Sequence, residues 1–175
     1  MDSLAISVRR AVVEDSSALA SLINDAYRVE CFFVAGDRTN PDEIAKMVMS
    51  GTGVFLVLEE GDSLAAAIYL ERRDTALYFG MLSVRSDMRQ FGLGTRLVRI
   101  AEAMAEATGA REVTLKIVNL REELARWYKS LGYFTGGTSA YTHRPVLQPC
   151  HFVEMYKPVG RGRDADLGAG AQPAA

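Results

Sequence analysis

The heptapeptide Arg89-Gln90-Phe91-Gly92-Leu93-Gly94-Thr95 holds the residue types best suited to gripping a phosphate. Gly92 and Gly94 remove Cβ atoms where an anion must come close to the backbone. The run before them, Leu77 to Val84, is rich in aromatic and branched residues and predicts a strand. The run after them, Leu93 to Thr108, sets Leu93, Leu97, Ile100, Ala101, Met104 and Ala105 on one helical face, and Gly109 supplies a stop. A strand that passes through two glycines into a helix gathers several N–H groups at the positive end of the helix dipole. Arg89, three residues ahead of Gly92, adds a full positive charge to the same place.

Two other phosphate loops fail on the residues. A Walker loop ends in Gly-Lys-Ser/Thr, whereas Gly94 is followed by Thr95 and Arg96. A dinucleotide fingerprint needs a third small residue where Leu97 stands, and an acid at the end of the next strand, whereas Glu112 begins one. The plain alternative is a strand-to-helix turn whose glycines serve tight geometry alone.

The elements that must position this loop follow from the rest of the chain. At 175 residues, with 49% hydrophobic and 24% charged residues, one soluble domain with a substantial core is expected. A net charge of -2 gives no basic surface for nucleic acid, and no apolar run is long enough for a membrane span. Met1 to Leu4 carry neither a basic region nor a long apolar core, so no secretory leader is expected. Cys31 and Cys150 lie far apart without metal-ligand spacing, which points to free thiols, a cytoplasmic setting and no metal. From Gly160 onward the chain is rich in Gly and Ala and lacks aromatics, so a flexible tail is expected.

Ile6 to Arg10 alternates as a first strand, and Leu19, Leu22, Ile23, Ala26 and Tyr27 mark a helix begun near Asp15. Arg28 to Asn40 is irregular; Pro41-Asp42-Glu43 opens a short helix that Gly51 ends. Val54–Glu60, the turn Gly61-Asp62, and Ser63–Glu71 form a hairpin. Arg111 to Val118 predicts a strand, and Leu124, Trp127, Tyr128 and Leu131 a helix closed by Gly132. A final strand pair runs from Tyr133 onward and from His151 to Tyr156. Adjacent strands imply antiparallel pairing, and the strand–helix–strand unit from Leu77 to Val118 implies one parallel, right-handed crossover. The reading is a mixed α/β sheet with the phosphate loop at the C-terminal end of a strand.

These residues resemble the GNAT superfamily of acetyl-CoA-dependent N-acetyltransferases. Arg-x-x-Gly-x-Gly at Arg89 to Gly94 is similar to the family's acetyl-CoA loop, and Trp127 to Tyr133 is similar to its later Tyr-x-x-Leu-Gly-Phe/Tyr helix end. Pro149 to Pro158 resembles the closing strand of a common bacterial subgroup. The resemblance covers Ile6 to Pro158. It implies a mixed, mostly antiparallel sheet of about seven strands flanked by four helices, with residues 1–158 as the acetyltransferase domain and 159–175 as tail. It also implies acetyl-CoA as co-substrate and a small-molecule or peptide amine as acceptor, in a monomer or homodimer. A catalytically weak acyl-CoA-binding module is the alternative.

By this resemblance the pyrophosphate rests on the amides of Gln90, Phe91, Gly92, Leu93, Gly94 and Thr95, with the Thr95 hydroxyl as a further donor. The pantetheine arm runs along the backbone of Leu82, Ser83 and Val84, and the Leu82 N–H polarises the thioester oxygen. Asn119 is a weaker contact, with an ordinary strand-end turn as its plain reading. Tyr128 is placed to protonate the departing thiolate, since a tyrosine pKa of about 10 keeps the phenol protonated at rest. Gly80 stands where many relatives carry a glutamate base, which leaves Glu30, Asp37, Glu59 and Glu71 as substitutes, while Arg121 replaces a common asparagine. Arg28–Asp37 and Thr138–Cys150 would flank the acceptor, with Phe32, Phe33 and Tyr141 as an apolar wall. Phe32 and Phe33 read equally well as caps on the core. His143 and His151 read as structural or exposed.

Overall fold

The computed structural model describes residues 5–160. Met1 to Leu4, and the expected tail from residue 161 on, lie outside the described residues.

The strands β1 (Ile6–Arg10), β2 (Gly53–Glu60), β3 (Ser63–Arg73), β4 (Ala76–Val84), β5 (Glu112–Val118), β6 (Phe134–Ala140) and β7 (His151–Pro158) form one sheet in the order β1-β2-β3-β4-β5-β7-β6. Only β4 and β5 pair in parallel, joined by helix α3 (Leu93–Ala107); the other neighbours are antiparallel. Helices α1 (Ser16–Tyr27) and α2 (Pro41–Ser50) precede β2, and α4 (Glu122–Ser130) lies between β5 and β6. The expected mixed sheet of seven strands and four α-helices is the observed fold.

Alternation along β2 divides the core into two layers. Phe55 and Val57 pack with Leu19, Ile23 and Ile44 of α1 and α2. Leu56 and Leu58 face the other way, toward Leu97, Val98 and Ala101 of α3. Period-two strands covered on both faces produce this split directly.

The face of α3 departs from its expected outline. Ile100 and Met104 are half-buried, whereas Val98 and Glu102 are buried. Glu102 tolerates burial because its carboxylate accepts from Lys157 Nζ at 2.9 Å and Arg99 at 2.7 Å. β3 also runs on to Arg73 before turning at Asp74, which takes φ +50.

Two local features shape the middle of the sheet. β4 and β5 pair only through Ala76–Glu112, Leu77–Val113 and Tyr78–Thr114, and beyond Tyr78 their pairing ends. On its other edge β4 carries a bulge: Tyr69 faces Gly80 and Ala67 faces Ser83, so Met81 and Leu82 together oppose Ile68. Met81 sits at φ +50, the left-handed turn that an extra residue imposes on a strand. Strand β4 therefore loses regular partners on both edges at Met81 and Leu82.

Candidate active site

The gap between β4 and β5 is a cleft through the sheet. Its walls include Gly80, Met81 and Leu82 of β4, Ile117 and Val118 of β5, and Trp127 and Tyr128 of α4. The core layers show that it has two mouths. Leu82, Val84, Trp127 and Tyr128 pack with the α3 layer, while Tyr27, Tyr78 and Met81 pack with the α1 layer. The cleft thus links the two faces of the sheet at the bulge.

The glycine loop adjoins the first mouth. It is more structured than the sequence suggests, because a 3-10 helix over Ser86–Phe91 intervenes between β4 and α3 and carries Arg89, Gln90 and Phe91. Gly92 follows at φ +70, a conformation that strains any residue with a Cβ, and α3 begins at Leu93. No side chain caps the first turn of α3, so the N–H groups of Leu93, Gly94 and Thr95 keep their donors for another partner. A Cβ on Gly94 would reach only ordinary contact distance, 3.6 Å from Val84 and 3.7 Å from Trp127. Gly92 therefore serves backbone geometry, while Gly94 keeps the surface bare between the loop and the cleft. Arg89 is exposed and forms no ion pair among the described residues. These features suit a phosphate, and they sit beside Trp127.

Tyr128 is 4% exposed and packs against Phe79, Trp127 and Tyr133 at ring distances of 5.9, 4.7 and 5.7 Å. Burial pushes its phenol well above the usual 10, and Tyr27 and Tyr133 add to the effect. Among the described residues, Tyr133 Oη is the one buried side-chain polar atom without a partner. The hydroxyls of Tyr27, Tyr78 and Tyr128 border the cleft instead and are left to water or a ligand.

Asn119 lies at the end of β5, where its Oδ1 accepts from His151 N at 2.8 Å and its N–H donates to His151 O at 3.0 Å. That pairing pins β5 to β7 and leaves only the Asn119 amide nitrogen for a ligand. Ser83 is buried, and its hydroxyl donates to Met81 O at 3.1 Å within the bulge.

Of the four acids considered as substitutes for the strand glutamate, only Glu30 lines the cleft. Glu59 pairs with Arg9 at 2.6 Å, Glu71 pairs with Arg73 at 3.0 Å, and Asp37 is exposed beside a neighbouring hollow. Glu30 sits on a 3-10 turn that continues α1 and accepts from Arg121 Nη1 at 3.0 Å, with both side chains nearly buried. Burial raises its carboxyl above the ordinary range, against the pull of Arg38 and Arg121. His143 stacks on Tyr141 and Phe152, and burial, helped by Arg38, holds its imidazole toward the neutral form.

Phe33 is fully buried with Val34, Val118 and Phe152 and caps the sheet, while Phe32 is half exposed and stacks on it edge to face. Tyr141 packs against Phe152 and accepts from Arg38 at 3.2 Å. Sequence reasoning missed Tyr27, Tyr78 and Arg38 as cleft residues. Tyr78 was recoverable, since it lies two residues from Gly80 on the same strand face. Arg38 carried no such signal, because it belongs to the irregular stretch after α1.

Among the described residues, no three His, Cys, Asp or Glu side chains gather as metal ligands would, and no helix is long and apolar enough to cross a membrane.

The same fold recurs in solved structures of low sequence identity. An N-acetyltransferase from Staphylococcus aureus aligns at TM-score 0.71 and 17% identity, over 87% of this chain and 98% of that one. yncA from Salmonella typhimurium, solved with its cofactor acetyl-CoA, aligns at 0.71 and 16% identity, over 94% and 99%. The ribosomal-protein-alanine N-acetyltransferase from Brucella melitensis aligns at 0.72 and 16% identity, over 87% and 99%. No curated protein matches the chain in sequence. The description of the acetyltransferase (GNAT) family matches residues 20–133, well over half the length, and the chain belongs to that family of acyltransferases.

Proposed function

We propose that the protein transfers the acetyl group of acetyl-CoA to a primary amine by direct attack within a ternary complex. The observation that carries this reading is the cleft itself, open through the sheet at the β4 bulge, with an uncapped helix start at one mouth and titratable groups at the other. The pyrophosphate lies on the amides from Gln90 to Thr95 with Arg89 beside it, and the pantetheine arm follows Leu82 to Val84. The bulge supports a free Leu82 N–H, which donates to the thioester oxygen as negative charge develops there.

The amine nitrogen forms its bond to the acetyl carbon as the carbon–sulfur bond breaks. Before attack the ammonium proton passes through Glu30, directly or by water, to solvent. The second proton on nitrogen goes to Glu30 as the amide forms, and the departing sulfur takes a proton through the Tyr128 hydroxyl, which Glu30 and water then restore. Products are the N-acetyl amide and CoA thiol. Holding both reactants in one cleft contributes up to about 7–11 kcal/mol in ideal cases. Residues 1–158 form the catalytic domain in this reading, and the unpaired thiols of Cys31 and Cys150 support a cytoplasmic setting.

Two measurements test it. Acetyl-CoA should raise the thermal midpoint, because a ligand of the native state stabilises by mass action. Thiol release should then follow addition of a suitable amine from a broad panel. Stabilisation without thiol release for any amine would favour an acyl-CoA-binding module instead. No stabilisation at all would defeat both readings.

A further inference from the structure

Arg38 is a cation in the wall of the cleft that has no direct ion pair among the described residues. It lines the mouth on the α1 side, beside Tyr27, Tyr78, Glu30 and His143. Its hydrogen bond goes to the neutral Tyr141 hydroxyl at 3.2 Å, and its guanidinium lies 5.0 Å from the centre of the Tyr27 ring. Glu30, the one acid lining the cleft, is held by Arg121 at 3.0 Å instead. A guanidinium offers five N–H donors in a planar fork suited to a carboxylate or phosphate, and most of the fork is unused here. Glu30 acts on it only from beyond ion-pair distance, so the fork stays open to an anion that a ligand brings.

The position says which ligand. The glycine loop and Arg89 serve the mouth on the α3 side, whereas Arg38 packs with side chains of the opposite layer. An anion on Arg38 therefore enters from the acceptor side. We infer that Arg38 forms an anion subsite for the acceptor, and that the acceptor is a small amine bearing a carboxylate, such as a free amino acid. This deepens the acetyl-transfer reading and rests on it. Glu30 then faces the amine end of a zwitterion and Arg38 its acid end. A peptide N-terminus, whose nearest carboxyl is an amide, lacks the group that Arg38 would grip.

The test uses paired probes: free amino acids with varied side chains, and the carboxamide of each. Turnover is followed by thiol release, and binding by quenching of Trp127, the chain's one tryptophan, which lines the cleft. Carboxylates should exceed their amides in kcat/KM by on the order of 10- to 100-fold, the worth of a charged hydrogen-bonded contact. Arg38→Gln should abolish that preference, mainly through KM, and Arg38→Lys should keep part of it. Both variants should retain wild-type stabilisation by acetyl-CoA, which shows that they fold. Amides equal to or better than carboxylates, or a preference that survives in Arg38→Gln, overturn the inference. If acetyl-CoA binds but no probe reacts, the transfer reading fails separately, and Trp127 quenching still decides the subsite. Carboxylates that quench wild type but not Arg38→Gln uphold it, and absence of quenching refutes it.

Discussion

A Cβ built on Gly80 would stand 2.8 Å from the Tyr78 hydroxyl oxygen and 3.3 Å from its ring edge. The Tyr78 side chain thus lies along β4 over Gly80. The guanidinium of Arg73, 3.7 Å from the ring centre, holds it there. Glycine at position 80 and tyrosine at 78 are a matched pair. The prediction is a double-mutant cycle. Gly80→Ala should destabilise the chain by about 1 kcal/mol while Tyr78 is present, because the ring must move. In a Tyr78→Ala background the same change should stabilise by about 0.4–1 kcal/mol, through the unfolded chain. Urea denaturation of the four proteins measures the coupling, and strictly additive effects would refute the pairing.

Tyr128→Phe separates chemistry from packing. The phenol ring is enclosed by three other aromatic rings, so its removal down to a benzene ring leaves that packing intact. The hydroxyl borders the cleft, and burial keeps it protonated throughout the neutral range. Its raised pKa makes complete proton transfer to a thiolate uphill, so a hydrogen bond to the departing sulfur comes first. Turnover should fall by about 10²-fold, the low end for an acid catalyst. Stabilisation by acetyl-CoA should stay at the wild-type value. Unchanged kcat in this variant would remove Tyr128 from the chemistry.

Gly92 and Gly94 should respond to alanine with opposite signs in stability. Gly92 has φ +70 and open space around its would-be Cβ, so Gly92→Ala should cost about 1 kcal/mol from backbone strain alone. Gly94 is the second residue of α3 and carries no positive φ. Gly94→Ala should leave the apo protein as stable or up to about 1 kcal/mol more stable. It should nevertheless weaken acetyl-CoA, because the new methyl group stands between Val84, Trp127 and the phosphate path. Thermal midpoints with and without acetyl-CoA check both halves. A Gly94→Ala protein that binds acetyl-CoA normally would leave that glycine without a binding role.

Most of the sheet was legible because its strands are runs of branched and aromatic residues bounded by turn signals, and three of the four helices end on Gly51, Gly109 and Gly132, all at positive φ. The glycine loop and Tyr128 were legible because both lie within short local spacings. The α1 side of the cleft was legible only in part, through Glu30 and the segment holding His143. It is assembled from Tyr27 and Glu30 at the end of α1, Arg38 in an irregular loop, Tyr78 on β4, and His143 in the loop before β7. No period links these positions, and only the parting of β4 from β5 brings them together. Val98 and Glu102 escaped for a related reason. Glu102 reads as a surface acid until Lys157 of β7 arrives beside it.

Glu30 should impose an acid limb on the pH profile of transfer. A base must be ionised to accept the ammonium proton, so kcat/KM should fall as pH drops through the Glu30 pKa. Burial sets that pKa above the usual carboxylate range, with Arg38 and Arg121 opposing. Glu30→Gln should lower kcat/KM by about 10²-fold and remove that limb. Stability should move in the reverse direction with pH. A carboxyl whose folded pKa is raised binds its proton more tightly when folded, so its stabilising share is present at low pH and is lost as pH rises through the folded pKa. The wild type should therefore lose ground to Glu30→Gln as pH rises from the ordinary carboxylate range through the raised Glu30 pKa. Arg121 keeps Glu123 at 2.5 Å in the variant, so it is not left wholly unpaired. Urea midpoints across that range, beside rate profiles for both proteins, test the two signs together. An acid limb that persists unchanged in Glu30→Gln would assign the proton to another group.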